Sequence, residues 1–285
     1  MKVLLTGSSG FVGSHIKQAL VDDEHELVMP SHSEIDFNSD TTSDDWIPYL
    51  KDVDAVINAV GIIAEEKGQK FQKLHADTPI ALFQACEQLG IKRVIQVSAL
   101  GADGQAFTPY QKTKLSADDF LRDLSLSWFV LRPSLIYGEG GASFKMFRTL
   151  ARLPIISFPA GGKFEVQPVH ISDLVATVLQ CLEVSENKAN ITLDIVGPRT
   201  MTVADYIQTI RASLNKKNSI IIPVPMVLTM LSARVGQYIV PIMHPDNMRM
   251  LEKGSTSDIA PLSSFLGRPP LLLEDALNKM LVDKL

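Results

Sequence analysis

The stretch VLLTGSSGFVGSHI, residues 3–16, decides the fold of this chain. Its first four residues are typical of a β-strand, and a helical pattern begins at Phe11. Between strand and helix stand Gly7, Gly10 and Gly13. Glycines at these places allow a tight turn, let the backbone approach a pyrophosphate, and let the helix pack closely on the strand.

The N-terminus of that helix strengthens the prediction of a ligand. Its first N–H groups have no partner within the helix, and the helix dipole favours a negative charge there. A glycine triplet between a strand and a helix therefore predicts dinucleotide binding rather than a plain structural turn. The residues expected at the cofactor are Gly7, Ser9, Gly10, Phe11 and Val12.

Short strands and longer helices alternate along the chain as far as residue 196. Because the strands are apolar on both faces, they are expected to form a parallel sheet with helices on both sides. The predicted strands are 3–6, 25–29, 55–60, 93–98, 127–132 and 191–196, and the predicted helices are 11–21, 71–89, 110–124 and 171–182. The sequence thus predicts an α/β fold with a doubly wound, Rossmann-type parallel sheet.

From residue 197 onward the alternation gives way to helices interrupted by prolines. We therefore expect an NAD(P)-binding Rossmann-type domain over residues 1–196. A small helical C-terminal subdomain over residues 197–285 is expected to pack on it as a cap, with segments that can interleave. Ligands of such sheets bind at the carboxyl ends of the strands, so the cap would face a small-molecule substrate.

Charge and cysteine content exclude several classes of function. The 285 residues include 27 basic and 32 acidic side chains, and no run of Lys or Arg offers the footprint that nucleic acid requires. Cys86 and Cys181 stand in apolar helical patterns and are expected to be buried structural thiols. Because no signal-peptide pattern opens the sequence, a cytoplasmic protein is expected.

The most apolar stretch is IIIPVPMVLTML, residues 220–231, which continues past Arg234 into YIVPIM. Its prolines and the arginine leave it short of the roughly 20 apolar residues of a membrane-spanning helix. A buried cap helix is predicted there. The alternative is that residues 220–243 face a membrane surface or a protein partner.

Neither of two further histidines indicates a metal site. His244 and Asp246 lack a third ligand at suitable spacing, so a capped turn is predicted and no metal is expected. His170 precedes a helix that Ser172 or Asp173 could cap, which favours a structural role.

A possible catalytic pair lies in YQKTK, where Tyr110 stands four residues before Lys114. Side chains at this spacing share one helix face whether or not they react together, so the pair alone does not distinguish a proton relay from two neighbours.

Several motifs together resemble the extended and atypical short-chain dehydrogenase/reductase superfamily. Thr6 and the glycines match its TGxxGxxG signature, and the remaining matches are VINAVGI (56–62), YQKTK (110–114), LRPSLIYG (131–138) and VQPVHISDLV (166–175). The combination of NAVGI, HADTPIALFQAC, VSALGAD and RPSLIYGEGG is most similar to the nucleotide-binding accessory subunits of respiratory complex I and their bacterial relatives.

The resemblance implies roles for particular residues. Tyr110 would be the acid/base, and Lys114 would orient the cofactor by its nicotinamide ribose. The implied cofactor contacts also include Asn58, Ala59, Val60 and Gly61 beneath the adenosine, Asp36 and Phe37 at the adenine, and the backbone after Pro133 at the carboxamide.

Two positions depart from the pattern of the superfamily. Ser98 is the candidate for the serine that polarises the substrate oxygen, but the reactive position falls at or next to Ala99. His75 replaces an expected helix asparagine. The Tyr–Lys pair is retained while its helpers are altered.

Cofactor choice depends on the segment MPSHS, residues 29–33, where an acidic residue would bind the 2′-hydroxyl of NAD. Ser31, His32 and Ser33 could instead donate to a 2′-phosphate, and no carboxylate stands among them, so NADP(H) is favoured over NAD(H).

Two functions remain open from the sequence. One is an oxidoreductase or a nucleotide-sugar-type epimerase acting on a small molecule with Tyr110 as acid/base. The alternative is a non-catalytic NADP(H)-binding sensor or assembly partner of a respiratory-type complex.

Overall fold

The computed structural model describes residues 1–39, 41–65, 68–230 and 244–282. The chain divides into two compact units, the first made of Met1–Pro133 with Leu174–Leu193 and the second of Ser134–Asp173 with Asp194–Leu285. The boundary at residue 196, with segments that can interleave, stays a prediction beside this division. Residues 134–173 belong to the second unit because the chain leaves the first after Pro133 and returns to it at Leu174.

A six-stranded sheet forms the centre of the fold, and all six predicted strands are present. The strands are β1 (Lys2–Thr6), β2 (Glu26–Val28), β3 (Ala55–Asn58), β4 (Arg93–Val97), β5 (Ser127–Pro133) and β10 (Ile191–Ile195). Their order is β10-β5-β4-β3-β1-β2, and the pairs β1–β2, β1–β3, β3–β4 and β4–β5 are parallel. This is the predicted Rossmann-type topology, in which the carboxyl ends of β1, β3 and β4 lie side by side.

The helices of the first unit follow the predicted segments closely. They are α1 (Phe11–Asp22), α2 (Ser43–Trp46), a π-helix (Gln72–Asp77) that leads into α3 (Thr78–Gln88), α4 (Pro109–Arg122) and α6 (Ile171–Glu183), with 3₁₀ turns at Ile47–Tyr49 and Glu186–Lys188. One apolar cluster of this unit contains Trp46, Leu82, Phe83 and Cys86. Cys86 and Cys181 are buried free thiols, as predicted.

The second unit is built from short strands and helices. They are β6 (Ile136–Tyr137), α5 (Ala142–Leu150), β7 (Ile155–Pro159), a 3₁₀ turn (Ala160–Gly162), β8 (Glu165–Val166), β9 (Val169–His170), β11 (Met201–Thr202), α7 (Val203–Ser213), β12 (Ile220–Val224) and the helices Pro245–Lys253, Ala260–Leu266 and Leu273–Val282. The strands pair as β6 with β9, β7 with β12, and β8 with β11. Tyr206 packs edge to face against Tyr137 and Phe147 in the core of this unit.

The predicted cap helix over residues 220–231 is wrong in its first part. Residues 220–224 form β12, because three consecutive isoleucines favour a strand and Pro223 and Pro225 disfavour a helix. Residues 226–230 are helical, and residues 231–243 lie outside the described part of the chain. No helix among the described residues is long and apolar enough to cross a membrane.

Candidate active site

The glycine turn takes the shape that its sequence predicts. Gly7 has a φ of +73°, and its carbonyl accepts a hydrogen bond of 3.0 Å from the N–H of Gly10. A Cβ on Gly7 would lie 2.7 Å from the carbonyl oxygen of Ala59, and one on Gly13 would overlap the backbone of Gly7. These two glycines are therefore required by the packing of the protein itself.

Gly10 differs from its two neighbours. It is the N-cap of α1, and a Cβ there would have only the carbonyl of Gly7 close by, at 3.3 Å. No side chain caps this helix N-terminus. The space beside Gly10 is thus open in the protein, as a site for an approaching pyrophosphate requires.

A row of polar side chains crosses the sheet at the carboxyl ends of its central strands. Thr6 on β1 donates to Asn58 Oδ1 at 2.6 Å, and Asn58 Nδ2 donates to Gln96 Oε1 at 2.7 Å. Asn58 Oδ1 also accepts a 3.3 Å bond from the N–H of Val60. The buried Asn58 side chain therefore shapes the loop after β3, in which Ala59 and Val60 are half-buried and Gly61 is exposed.

The buried Lys114 ammonium joins α4 to two strand ends. Its Nζ donates to the carbonyl of Val60 at 2.9 Å and to the carbonyl of Val97 at 3.0 Å. An ammonium has three N–H donors, so one donor remains for a ribose hydroxyl. Burial lowers the pKa of Lys114, and the nearby Asp118 carboxylate opposes that shift.

Ser98 and Asp118 form a second buried contact at the end of β4. Ser98 Oγ donates to Asp118 Oδ2, and Asp118 Oδ1 has no hydrogen-bond partner. Burial raises the pKa of this carboxyl, whereas the Ser98 hydroxyl and the Lys114 ammonium lower it. The Ser98 hydroxyl is therefore engaged within the protein, and Ala99 beside it offers no donor for a substrate oxygen.

His75 occupies the position of the expected asparagine, in the π-helix. Its Nε2 accepts a 3.0 Å hydrogen bond from the N–H of Ile62, so the neutral ring carries its proton on Nδ1, 3.3 Å from Thr113 Oγ1. Burial and the Lys114 charge lower the pKa of His75 to about 2. His75 thus fixes the loop after β3 as an uncharged acceptor.

Tyr110 lies in an aromatic cluster with His75 and Phe71. Its ring meets His75 edge to face at 5.4 Å and Phe71 at 5.8 Å, and Phe71 stacks on His75 at 5.2 Å. Burial and the Asp118 carboxylate raise the pKa of Tyr110 to about 12. The phenol is therefore protonated at neutral pH and can serve as a proton donor.

The loop after β2 departs from its prediction, because a carboxylate lies within it. Glu34 Oε2 accepts from Ser31 Oγ at 2.6 Å and from the N–H of Ser31 at 2.8 Å, and these bonds lower the pKa of Glu34. Ser33 Oγ lies 2.9 Å from Ser31 Oγ. Residues 29–33 contain no carboxylate, but Glu34 directly after them brings one beside Ser31, and the preference for NADP(H) stays a prediction.

Of the two residues predicted at the adenine, Asp36 lies in a loop and Phe37 lies in the core. Asp36 Oδ1 accepts from the N–H and the amide group of Asn38, whereas the Phe37 ring is buried against Trp46 at 5.6 Å. At the end of β5 the carbonyl of Pro133 accepts from the N–H of Leu100 at 2.9 Å.

The remaining histidines have local structural contacts. His170 Nδ1 lies 2.7 Å from Ser172 Oγ and accepts a 3.3 Å bond from the N–H of Ser172, so His170 itself caps α6. His244 caps its helix by accepting from the N–H of Asp246, as the predicted turn requires. Among the described residues no cluster of His, Cys, Asp and Glu could hold a metal ion.

Sequence reasoning missed Asp118 and the contacts of Phe71 and Thr113. Asp118 follows Lys114 by four residues, so both share the face of α4 that carries Tyr110. A carboxylate on the buried face of an amphipathic helix is a signal that the sequence does contain. The contacts of Phe71 and Thr113 depend on where α3 and α4 meet, which no local pattern gives.

Comparison with known proteins gives a family match over most of the first unit. The model of the NAD dependent epimerase/dehydratase family matches residues 3–195. Ceramide reductase of Caulobacter vibrioides is 26% identical over 191 residues, which cover 62% of this chain and 59% of that protein.

A second relative and a solved structure extend the comparison. The 40 kDa subunit of mitochondrial NADH-ubiquinone oxidoreductase from Neurospora crassa is 24% identical over 164 residues, which cover 58% of this chain and 43% of that protein. This chain therefore spans about half the length of these two relatives. A dTDP-4-dehydrorhamnose reductase from Clostridium acetobutylicum superposes over 100% of both chains with a TM-score of 0.76 and 18% identity, which shows a shared fold.

Proposed function

The chain belongs to the NAD dependent epimerase/dehydratase family, and from that premise we propose that it is an NAD(P)(H)-dependent oxidoreductase or epimerase acting on a small molecule. The observation that carries the proposal is the meeting of Lys114 with the loop after β3. The Lys114 ammonium lies on the carbonyl of Val60, in the loop whose Ala59 packs against Gly7 of the glycine turn. The candidate ribose ligand and the candidate phosphate site thus belong to one strand-end cluster.

The residues of this cluster fit a bound dinucleotide. The open space at Gly10 suits a pyrophosphate, and the third donor of Lys114 suits a ribose hydroxyl. When bound, the nicotinamide supplies or accepts a hydride. Tyr110 then holds or moves a proton at its phenolic oxygen, and a cation at Lys114 stabilises the phenolate that forms when the proton leaves.

The glycine turn provides the direct test of binding. Valine at position 10 should weaken NADH and NADPH binding by at least tenfold, because its side chain enters the pyrophosphate site, and a tenfold loss corresponds to about 1.4 kcal/mol. Isothermal titration of wild-type and Gly10→Val proteins measures the loss. Ser14→Val on the exposed side of α1 is the control, since it places the same side chain on the helix away from the turn. Unchanged affinity in a folded Gly10→Val protein would refute the binding site.

Glu34 should influence the choice between the two dinucleotides. The preference for NADP(H) stays a prediction, and wild-type protein tests it directly if NADPH raises the thermal midpoint more than NADH does at equal concentration. Glu34→Gln should raise the ratio of NADPH to NADH affinity by about tenfold, because a carboxylate beside Ser31 repels a 2′-phosphate. Glu24→Gln, at the opposite end of β2, is the matched control. If Glu34→Gln leaves the ratio of NADPH to NADH affinity unchanged, the loop after β2 lies away from the 2′ position of the bound dinucleotide.

A second candidate function is dinucleotide binding without turnover, in a sensor or an assembly partner of a respiratory-type complex. The contact between Ser98 and Asp118 favours it, because the serine hydroxyl that would polarise a substrate oxygen is already engaged. A relative described as a subunit of NADH-ubiquinone oxidoreductase is consistent with that role. Wild-type protein that binds NAD(P)H but does not oxidise it with quinones, aldehydes or nucleotide-sugar ketones would support this candidate.

A further inference from the structure

The paired strands β7 and β12 of the second unit have one buried and one exposed face, and the exposed face is also apolar except at Ser157. Ile156, Phe158 and Ile221 contribute to the core of the unit. On the other face the exposed fractions are 53% for Ile155 and 65% for Ile220, which lie opposite each other in the parallel register. Exposed strand faces are ordinarily polar, so this face departs from the expected alternation.

The exposed face continues along β12, and exposed apolar residues flank the strand pair in sequence. Ile222 is 46% exposed and shares the side of Ile220, because side chains two residues apart in a strand lie on one face. Leu153, just before β7, and Val227 and Leu228, just after β12, are also exposed. We call Leu153, Ile155, Ile220, Ile222, Val227 and Leu228 the apolar edge.

A buried arginine holds the two loops at the start of these strands together. The Arg211 guanidinium donates to the carbonyls of Ala151 and Leu153, each at 2.8 Å, and to the carbonyl of Lys217. The N–H of Ile220 donates to the carbonyl of Pro154 at 2.9 Å. The segments 151–155 and 216–220 are therefore fixed side by side.

The two stretches of chain that contain these segments are basic, although the chain as a whole is acidic. Residues 140–164 and 206–230 contain no Asp or Glu, although the net charge of the chain is −5. Their basic residues include Lys145, Arg148, Arg152, Lys216 and Lys217. Arg152, Lys216 and Lys217 are exposed in the two loops that Arg211 joins, and Lys145 and Arg148 lie on α5, which ends directly before the first of these loops. Positive charge therefore borders the apolar edge.

We propose that the second unit binds an anionic lipid surface through the apolar edge and the basic residues that border it. Aliphatic side chains flanked by Lys and Arg match the boundary between lipid chains and charged headgroups. The cores of protein interfaces are enriched in aromatic residues, which this edge lacks. A second copy of the same edge would bring like charges together, so self-association is disfavoured.

Vesicle co-sedimentation of the full chain tests the proposal. The protein should bind vesicles of phosphatidylcholine with added phosphatidylglycerol, bind vesicles of phosphatidylcholine alone much more weakly, and lose most of the difference at high salt. Lys216→Glu with Lys217→Glu should weaken binding at least about tenfold, since each basic residue near an anionic surface contributes about fivefold. Ile155→Ser with Ile220→Ser should weaken it by a similar factor without changing charge.

The matched control is Lys51→Glu with Lys92→Glu, which changes charge equally at exposed positions of the first unit. Its binding should stay within about threefold of wild type. Far-UV circular dichroism establishes that each variant is folded. If folded wild-type protein binds neither vesicle at low salt, or if the control loses as much binding as the loop variant, the proposal is wrong. If wild-type protein binds neither vesicle, an acidic protein surface becomes the ligand expected for the basic residues beside the apolar edge.

Discussion

Replacing Tyr110 by phenylalanine should lower the turnover number at least 100-fold and leave NAD(P)H affinity within about twofold, if the protein is the proposed enzyme. The phenol of Tyr110 is protonated at neutral pH, and its ring is held by His75 and Phe71 rather than by its hydroxyl. Phenylalanine therefore keeps the packing and removes only the transferable proton. Steady-state oxidation of NAD(P)H with a panel of carbonyl substrates, together with titration of the cofactor, measures both quantities.

Lys114→Met separates the role of the cation from that of the phenol. It should weaken cofactor binding as well as turnover, because Lys114 is the proposed ribose ligand and also holds the loop after β3 through Val60. Phe107→Leu, on an exposed side chain just before α4, is a control for general disturbance of this region. If Tyr110→Phe retains more than half of the wild-type turnover, Tyr110 is not the acid/base.

Lowering the pH should destabilise the first unit because its folded state keeps His75 neutral. The variant His75→Gln should not show this loss of unfolding free energy. The folded state keeps His75 neutral down to a pKa of about 2, whereas an unfolded histidine is protonated below its ordinary pKa of about 6.5. The unfolded state therefore binds more protons between these values, and stability is lost as pH falls through that window. At pH 4.5 the loss relative to pH 7.5 should be roughly 3 kcal/mol.

Urea unfolding followed by tryptophan fluorescence measures this loss, because both tryptophans, Trp46 and Trp128, belong to the first unit. Glutamine at position 75 can still accept from the N–H of Ile62, so the unfolding free energy of wild type minus that of the variant should fall steadily as the pH is lowered from 7.5 to 4.5. Burial raises the pKa of Asp118, which acts in the opposite direction in both proteins and cancels in the comparison. His32→Gln, in an exposed loop, is the control. A difference independent of pH would show that His75 is not held neutral.

Sequence by itself determined the parts of this protein that depend on local geometry. The turn at Gly7 requires a positive φ, and the close packing of Gly13 excludes a side chain, so the glycine spacing fixed the strand, turn and helix around it. Runs of apolar residues likewise predicted the six strands of the sheet, because a strand that is buried on both faces needs apolar side chains at successive positions. The pairing of Tyr110 with Lys114 on one face of α4 follows from their spacing alone.

The carboxylate in the loop after β2 and the strand at residues 220–224 also follow from local sequence. Glu34 lies three residues after Ser31, a spacing at which a carboxylate can meet the start of its own turn. The isoleucines of β12 favour a strand, although the length of the apolar run 220–231 favours a helix.

Only the tertiary structure decided which distant groups meet. Asp118 reaches Ser98 across twenty residues, His75 reaches Ile62 and Thr113, and Arg211 joins loops some sixty residues apart. These contacts arise from the packing of α3, α4 and α7 on their neighbours. Side-chain periodicity predicts which face of a helix is buried, but it does not predict which residues that face contacts. The same reason explains why residues 134–173 could not be assigned to the second unit in advance. Long-range contacts determine which segments belong to a compact unit. The burial that these contacts provide must offset the loss of chain entropy over the whole fold.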